Sequence, residues 1–272
     1  MKNPLFHSSC QNCLARQSCT VDQEKASSAQ YTIALAGNPN TGKSTVFNAL
    51  TGLRQHTGNW PGKTVTRAEG MYLSGGNTYR LVDLPGTYSL LSVSTDEEIA
   101  RDFILFGQPD CTVVVVDATA LERNLNLVFQ VMEITEKVVV CVNLMDEARR
   151  KGIDINLDKL SNELGVPAIG TVARSGEGLQ DLMKTVEGVI NGRIPTSPKL
   201  PEPPEVVQTL VADLVPRIRK LYPELKNARW IAYRLIEGDY RIRQALMSGE
   251  LGNLKSNGSQ SRPTDGQKGV AG

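Results

Sequence analysis

Short apolar runs rich in β-branched residues alternate with longer amphipathic stretches from Tyr31 onwards. This alternation predicts an α/β fold in which helices cover a mostly parallel sheet. The predicted strands are Tyr31 to Ala36, Ala68 to Leu73, Tyr79 to Asp83, Thr112 to Asp117, Lys137 to Asn143 and Pro167 to Thr171. The predicted helices begin near Lys43, Thr95, Leu121, Leu144, Leu157 and Leu179. The turn residues 74–77 separate two of the strands, so we expect one antiparallel edge strand.

A small all-helical domain is predicted after a linker rich in Pro, Ser and Lys around residues 192–204. An apolar stripe at helical spacing runs from Val207 to Leu221, and Pro216 is expected to kink or split that helix. Trp230 lies beside a second stripe and is expected to pack in the helical core. The predicted domains therefore span 31–195 and 203–250. The polar ends predict a flexible leader over 1–30 and a disordered tail over 251–272.

The balance of charge and the hydropathy of the chain restrict its partners. The chain of 272 residues contains 30 Lys and Arg residues and 29 Asp and Glu residues. Its net charge of +1 therefore provides no long-range field that would attract nucleic acid. No apolar run approaches the roughly 20 residues of a membrane-spanning helix, and no signal-peptide stretch is present. We therefore expect this chain alone to be soluble and cytoplasmic, without a nucleic-acid partner. A homo-oligomer is left open.

The five cysteines fall into two groups. Cys111 and Cys141 lie at or within β-branched runs and are expected to be small buried hydrophobes rather than disulfide partners. Cys10, Cys13 and Cys19 cluster in the polar leader at a density that could hold a zinc ion or an iron–sulfur cluster. The alternative interpretation is a disordered leader with incidental thiols, because the spacing is not that of common zinc sites.

The segment from Gly37 to Ser44 matches the phosphate-binding pattern G-x-x-x-x-G-K-[ST] between a predicted strand and a predicted helix. Its glycines allow successive backbone N–H groups to point at phosphates, and the helix that follows adds attraction for anions. Lys43 should reach the β and γ phosphates, and Ser44 should ligate Mg²⁺. The predicted phosphate-binding residues are Gly37, Asn38, Pro39, Asn40, Thr41, Gly42, Lys43, Ser44 and Thr45.

Three later segments complete a guanine-nucleotide pattern. An aspartate at 83 can hold Mg²⁺ through water, and the N–H of Gly86 can contact the γ-phosphate. The segment 143–146 resembles the N-K-x-D element of GTPases, in which the aspartate accepts bonds from guanine N1 and N2, although Leu144 replaces the usual lysine. The backbone N–H of Ala173 is expected to contact the guanine O6 atom. The residues predicted to bind nucleotide here are Asp83, Leu84, Pro85, Gly86, Asn143, Leu144, Met145, Asp146, Val172, Ala173 and Arg174.

Residues 53–66 have no periodicity and contain Gly58 and Gly62, so we predict a flexible switch loop. A threonine in such a loop can complete the Mg²⁺ shell when the γ-phosphate is bound. Thr64 is the first choice and Thr66 the second. The switch residues predicted to contact nucleotide are Gly62, Lys63, Thr64, Val65 and Thr66.

Five segments of the chain closely resemble the G domain of FeoB-type ferrous-iron transporters. They are Gly37 to Asn40, Gly58 to Gly62, Asp83 to Leu90, Glu98 to Asp102 and Asp117 to Leu125. The resemblance extends through Ala228 to Trp230 and Leu235 to Asp239, which look like the helical domain that couples the FeoB G domain to its permease. It implies a P-loop GTPase fold followed by a small helical domain. The membrane permease of that family is missing from this sequence.

The resemblance also implies how hydrolysis is assisted. Thr87 stands where Ras-like GTPases have a glutamine, so a side-chain amide that orients water is absent. In potassium-activated GTPases, which FeoB resembles, a P-loop asparagine and switch carbonyls hold K⁺. By residue match these ligands are Asn40 with the carbonyls of Gly58 and Trp60, although Asn40 could instead only stabilise its own turn. The residues expected to take part in catalysis are Lys43, Asn40, Thr64 and Gly86.

These observations predict a GTPase that binds GTP and GDP with Mg²⁺, is activated by K⁺ and regulates a ferrous-iron permease carried by another part or another chain. Such a protein would act at the cytoplasmic face of the inner membrane. The alternative is a freestanding potassium-dependent GTPase of ribosome or tRNA maturation, which the near-neutral charge disfavours. A third hypothesis makes the cysteine cluster an iron-binding or redox sensor with the GTPase as its output.

Overall fold

One mixed sheet of seven strands organises the first part of the chain. The computed structural model describes residues 29–249, apart from 53–54, 62, 92–93, 224 and 226, and all counts here refer to those residues. The strands are β1 Tyr31–Gly37, β2 Gln55–Asn59, β3 Thr66–Ser74, β4 Asn77–Asp83, β5 Cys111–Asp117, β6 Val138–Asn143 and β7 Ala168–Gly170. Their order across the sheet is β2-β3-β4-β1-β5-β6-β7. Five neighbouring strands from β4 to β7 are parallel, and β3 is antiparallel to both its neighbours. The predicted α/β fold with an antiparallel edge is confirmed.

The described residues include nine α-helices. They are α1 Lys43–Thr51, α2 Thr95–Phe106, α3 Leu121–Ile134, α4 Met145–Arg150, α5 Leu157–Leu164, α6 Leu179–Ile190, α7 Glu205–Leu221, α8 Ala228–Ile236 and α9 Tyr240–Met247. The predicted starts of the first six helices are confirmed, and the one expected near Leu144 falls at Met145. A short 3-10 turn, Ala118–Ala120, precedes α3.

The central strands are buried on both faces. In β5 the valines from Val113 to Val116 have at most 1% of their surface exposed. Val113 and Val115 belong to a core with residues of α1 and α6, whereas α3 also packs against β5. Because successive side chains of a strand point to opposite faces, a run of four valines requires cover on both sides, which the helices provide.

The turn between β3 and β4 follows the prediction. Ser74 pairs with Asn77, and both Gly75 and Gly76 adopt positive φ angles, of 56° and 81°. A two-residue hairpin turn of this kind matches the twist of the strands and strongly favours glycine.

Strand β2 was not predicted, because residues 53–66 were expected to lack regular structure. That prediction is wrong for Gln55–Asn59, which pairs antiparallel with β3 from Gln55 opposite Gly70 to Asn59 opposite Thr66. Four of its five residues are exposed. An edge strand with little cover on either face need not alternate apolar and polar residues, so hydropathy gives no signal for it.

The contacts within the chain define a second unit, made of Glu202 onwards together with Phe106–Gln108. Its described part contains α7, α8 and α9. Helix α7 is continuous through Pro216, so the predicted split does not occur. Val211 and Ile218 are buried on either side of the proline, and α7 packs against α8. Burial of this kind offsets the loss of one backbone hydrogen bond. Trp230 is 3% exposed, as expected for a residue of the helical core.

None of the helices in the described ranges has the length and apolar character that a membrane crossing requires. The predictions for most of the leader and for the tail 251–272, including any metal site at Cys10, Cys13 and Cys19, concern residues outside those ranges. Within the ranges, no group of three or more His, Cys, Asp or Glu side chains is arranged to hold a metal ion.

Candidate functional site

The loop between β1 and α1 turns sharply with the help of two left-handed residues. Asn40 has a φ of 67° and Gly42 a φ of 80°. The Thr41 hydroxyl and N–H both bond to the carbonyl of Asn38, at 2.9 and 3.4 Å. A Cβ atom on Gly42 would lie 2.4 Å from Asn143 Nδ2, and one on Gly37 would lie 2.6 Å from the carbonyl oxygen of Val115. Gly42 is therefore required both by backbone conformation and by close packing, and Gly37 by close packing.

Lys43, Ser44 and Asp83 meet at the carboxyl end of β4. Lys43 is buried, with 8% of its surface exposed. Its ammonium group donates to the Asp83 carboxylate and, at 2.6 Å, to the carbonyl of Leu84. The Ser44 hydroxyl lies 3.3 Å from Asp83 Oδ2. The structure thus brings together the lysine expected at the phosphates and the two oxygen donors expected at Mg²⁺. Hydroxyl and carboxylate oxygens are the hard ligands that Mg²⁺ prefers, so the donor set fits the ion.

The residues after Asp83 are held against the phosphate-binding loop by backbone bonds. The N–H of Leu84 donates to Leu35 at 3.0 Å, and the N–H of Thr87 donates to Gly37 at 3.3 Å. A Cβ atom on Gly86 would be 3.5 Å from Pro39. The Thr87 hydroxyl bonds its own segment at the carbonyl of Ser89, at 2.7 Å. Gly86 therefore lies beside the loop, while the Thr87 side chain is engaged elsewhere.

The side chain of Asn143 is hydrogen-bonded both to the phosphate-binding loop and to the loop after β7. It is buried at the end of β6 and donates to the carbonyl of Thr41 at 3.0 Å. Its Oδ1 atom accepts from the Thr171 hydroxyl at 3.2 Å and from the Ala173 N–H at 3.1 Å. The sequence assigned Asn143 to nucleotide contact and missed this positioning role. The only sequence signal for it is a polar residue that directly follows the buried run of β6.

The guanine-type segment begins with a left-handed residue. Leu144 has a φ of 64°, and the N–H of Met145 donates to the carbonyl of Thr171 at 3.2 Å. Asp146 lies in the first turn of α4. Val172 and Ala173 are buried whereas Arg174 is exposed. The Ala173 N–H, expected at guanine O6, is bonded to Asn143 in this structure, so its contact with the base remains a prediction.

The switch residues lie in a hairpin formed by β2, β3 and the turn between them, which we call the edge hairpin (residues 55–74). Gly58 pairs with Arg67, and Thr66 pairs with Asn59. The Trp60 N–H donates to Val65 at 2.9 Å, and the Trp60 carbonyl accepts from the Lys63 N–H at 3.0 Å. Thr64 is exposed in the turn, and Gly62 lies outside the described residues.

The edge hairpin also contacts helix α2 through side chains. The Trp60 ring is 8% exposed and packs edge-on against Phe103, with centroids 5.4 Å apart. The Arg67 guanidinium lies 4.9 Å from the centre of the same indole. Lys63, which the sequence assigned to nucleotide, forms an ion pair of 3.0 Å with Glu98.

The strand register separates this hairpin from the phosphate-binding loop. Thr57, Ala68, Asp83 and Leu35 occupy one row across β2, β3, β4 and β1. Three strand spacings place β2 roughly 14 Å from β1. The potassium site formed by Asn40, Gly58 and Trp60 stays a prediction.

The two described cysteines are structural. Cys111 and Cys141 are fully buried in β5 and β6, as expected, and burial raises the pKa of each thiol to about 12. The Cys141 thiol lies 3.2 Å from the Thr171 hydroxyl, next to the Asn143 network.

Comparisons with known proteins agree with this geometry. The profile of the family FeoB_N, described as Ferrous iron transport protein B, matches residues 31–186. The Fe(2+) transporter FeoB of Shigella flexneri is 40% identical over 219 residues, which cover 77% of this chain and 27% of that protein. The chain thus spans about a quarter of the length of the curated relatives it matches.

Several similar chains of known structure are matched by this chain over most of their length. The cytosolic domain of T. maritima FeoB in its apo form is 35% identical, with a TM-score of 0.72 over 82% of this chain and 86% of that one. Its GMPPNP form gives a TM-score of 0.71 at 33% identity, over 82% and 86% of the two chains. The cytosolic domain of L. pneumophila FeoB is 36% identical, with a TM-score of 0.72 over 83% and 89%.

Proposed function

Because this chain belongs to the ferrous iron transport protein B family, we propose that its first unit binds GTP and hydrolyses it to GDP and phosphate. The convergence of Lys43, Ser44 and Asp83 beside a glycine-turned loop carries the proposal. The similar T. maritima domain, which has been solved in GDP and GMPPNP forms, supports it.

Different groups of the chain bind the phosphates and the metal ion. Lys43 exchanges its bonds with Asp83 and Leu84 for oxygens of the β and γ phosphates, and the loop N–H groups bind the remaining phosphate charge. The Ser44 hydroxyl, and the Asp83 carboxylate through water, would hold Mg²⁺, which would supply positive charge to neutralise the phosphates. Gly86 lies beside Pro39 of the phosphate-binding loop, which supports a bond from its N–H to the γ-phosphate.

Guanine is selected by Asp146. Its carboxylate accepts hydrogen bonds from the N1–H and N2–H groups of guanine, a pair of donors that adenine lacks. An Asp146→Asn variant tests this, because an amide can donate to the C2 carbonyl of xanthine. We expect weaker binding of GDP and stronger binding of XDP. Unchanged preference for GDP would contradict the assignment, and a parallel titration with ATP controls for phosphate binding alone.

Potassium is proposed to accelerate hydrolysis through Asn40, Gly58 and Trp60. The left-handed Asn40 is exposed on the phosphate-binding loop, which supports a ligand role. The test compares phosphate release in KCl and NaCl for the original chain and for Asn40→Asp. Equal rates in the two salts, or an unchanged potassium response in the variant, would overturn this proposal.

We further propose that the nucleotide state regulates a ferrous-iron permease through the second unit. The names of the curated relatives, each an Fe(2+) transporter, support this proposal, and the chain matches only 27% of their length. Capture of an iron permease by the GMPPNP-loaded chain is the expected outcome. Capture of ribosomal particles instead would favour the freestanding GTPase.

A further inference from the structure

Helix α4 carries two acid and base pairs at the same spacing. Asp146 and Glu147 lie in its first turn, and Arg149 and Arg150 follow each of them three residues later. Residues three apart on a helix are neighbours, so each arginine can reach the acid one turn earlier. Arg150 does so and forms an ion pair with Glu147. The backbone of this helix therefore permits the same pair between Asp146 and Arg149.

Arg149 instead bonds outside its helix. Its Nη2 atom donates to Glu177 Oε1 at 2.8 Å. The hydrogen bond and charge of Glu177 raise the pKa of the Arg149 guanidinium, and the charge of Asp146 adds a smaller increase. The guanidinium thus interacts with two carboxylates, and Glu177 provides the stronger interaction.

Glu177 is held in place by the turn that carries it. Its carbonyl accepts the N–H of Val172 at 3.0 Å, and the carbonyl of Val172 accepts the N–H of Gly176, also at 3.0 Å. Gly178 has a φ of 77°, and a Cβ atom there would be 2.1 Å from the carbonyl oxygen of Gly170. The backbone around Glu177 is therefore fixed against β7, at the loop that also contains Ala173.

A guanidinium and a guanine base present the same chemistry to a carboxylate. Each offers two adjacent N–H donors in one plane, which bind both oxygens of a carboxylate side by side. An arginine paired with Asp146 would therefore compete directly with guanine for the same two oxygens.

We propose that Glu177 is a positioning residue that keeps Arg149 away from Asp146, so that the Asp146 carboxylate remains available to the base. This inference rests on the proposed recognition of guanine by Asp146. Both side chains of the ion pair are exposed, 60% for Arg149 and 53% for Glu177. An exposed ion pair is weak, so its loss should change nucleotide release by only about two- to fivefold.

A purely structural role for the same ion pair predicts a different result. If the pair only fastened the 171–178 loop to α4, removal of either partner would loosen the loop equally. If Glu177 shields Asp146, removal of Glu177 is harmful only while Arg149 is present. The variants Glu177→Gln, Arg149→Ala and their combination therefore separate the two roles.

The experiment measures release of fluorescent mant-GDP from the full 272-residue chain in low salt. We expect Glu177→Gln to release it about two- to fivefold faster, and Arg149→Ala and the double variant to release it at the original rate. Asp213→Asn is the matched control, because it breaks an exposed ion pair within α7, that with Arg217, without freeing a base on α4. The effect of Glu177→Gln should shrink at high ionic strength.

Three results would overturn the role of Glu177: an unchanged rate in Glu177→Gln, a rate in Asp213→Asn as fast as that in Glu177→Gln, or a double variant as fast as Glu177→Gln alone. Each presupposes that the original chain binds mant-GDP. Absence of that binding would instead refute the proposed guanine-nucleotide function, so the two failures are distinguishable.

Discussion

Two regions beside the carboxyl ends of parallel strands are built in opposite ways. The phosphate end, which comprises residues 37–44, 83–86, 143 and 171–173, is joined by buried hydrogen bonds that cross between loops. In the edge hairpin the candidate ligands Gly58 and Thr64 are exposed and Trp60 is buried. Its described side-chain links to α2 are the Trp60–Phe103 contact and the Lys63–Glu98 ion pair. Buried bonds hold the loops of the first region to one another, whereas the second region lies at the edge of the sheet.

This contrast follows from strand position. β1 and β6 lie inside the sheet, where neighbouring strands hold the loops that follow them at fixed distances. β2 pairs with β3 alone and exposes its other edge. Regions with few buried contacts open at low free-energy cost, so we expect conformational change to be confined to the edge hairpin.

The largest effect is expected for Lys43→Ala, which removes the buried cation of the phosphate end. Loss of this charge should lower the rate of GTP hydrolysis by about 10²-fold or more. Phosphate release under single-turnover conditions measures it. Lys184→Ala, which removes an exposed lysine of α6, is the control. A Lys43→Ala variant with near-original activity would show that the phosphate end is not the catalytic region.

Asn143→Ala tests whether the phosphate end is rigid because of its buried network. The change leaves the carbonyl of Thr41 and the donors of Thr171 and Ala173 without their partner, which should lower the free energy of unfolding by roughly 2–4 kcal/mol. Urea titration measures this. Asn59→Ala in the exposed strand β2 should change it by less than about 0.5 kcal/mol. Equal losses in the two variants would remove the contrast between the regions.

The thiols of β5 and β6 report on the sheet that supports the phosphate end. Their pKa values of about 12 mean that both stay protonated in the folded chain at pH 9, where unfolded thiols begin to ionise. Their contribution to stability is therefore present below pH 9 and is lost as the pH rises towards 12. We expect the alkaline loss of stability to be smaller in Cys111→Ala. Iodoacetamide, followed by peptide mapping, should leave Cys111 and Cys141 unmodified at pH 8 until the chain unfolds.

The indole of Trp60 reports on movement of the edge hairpin. The chain contains two tryptophans, so Trp230→Phe leaves Trp60 as the only one. We expect its emission to shift to longer wavelength when GMPPNP and Mg²⁺ are added, because movement of the turn would expose a ring that is 8% exposed here. The Lys43→Ala version of the same chain should show no shift. A spectrum that nucleotide does not change would indicate that the hairpin stays closed.

The smallest effect is expected for Lys63→Ala. Its ion pair with Glu98 joins side chains that are 38% and 32% exposed, so its loss should cost less than about 1 kcal/mol. Hydrogen exchange of residues in β2 should increase slightly, while exchange in β6 stays unchanged. A large loss of global stability would mean that this pair is part of the folded core.

Much of the phosphate end could be predicted from the sequence because its requirements are local. One short segment contains the glycines at 37 and 42, the lysine and the serine. Hydropathy locates the strand and the helix on either side of it. The start of α1 at Lys43 is confirmed to the residue. The roles of Asn143 and Glu177 could not be predicted, because the partner of each is set by packing between distant segments.

The edge hairpin shows a second reason for failure. Residues 55–59 are polar and exposed, so neither period nor composition distinguishes a strand from a loop. Their pairing depends on the presence of β3, whose own position is set by the turn at Gly75 and Gly76. The predicted switch loop was therefore wrong in its local structure over Gln55–Asn59, and its role as a switch stays a prediction.

The sequence by itself determined the family resemblance, the phosphate-binding loop and the alternation of strands and helices, because hydropathy and glycine conformation act over a few residues. The tertiary structure alone decided which side chains meet. Asn143 reaches the carbonyl of Thr41 across 102 residues of chain, and Arg149 reaches Glu177 rather than the aspartate one turn away. These choices depend on strand order and register, which fix distances between segments that no local pattern relates.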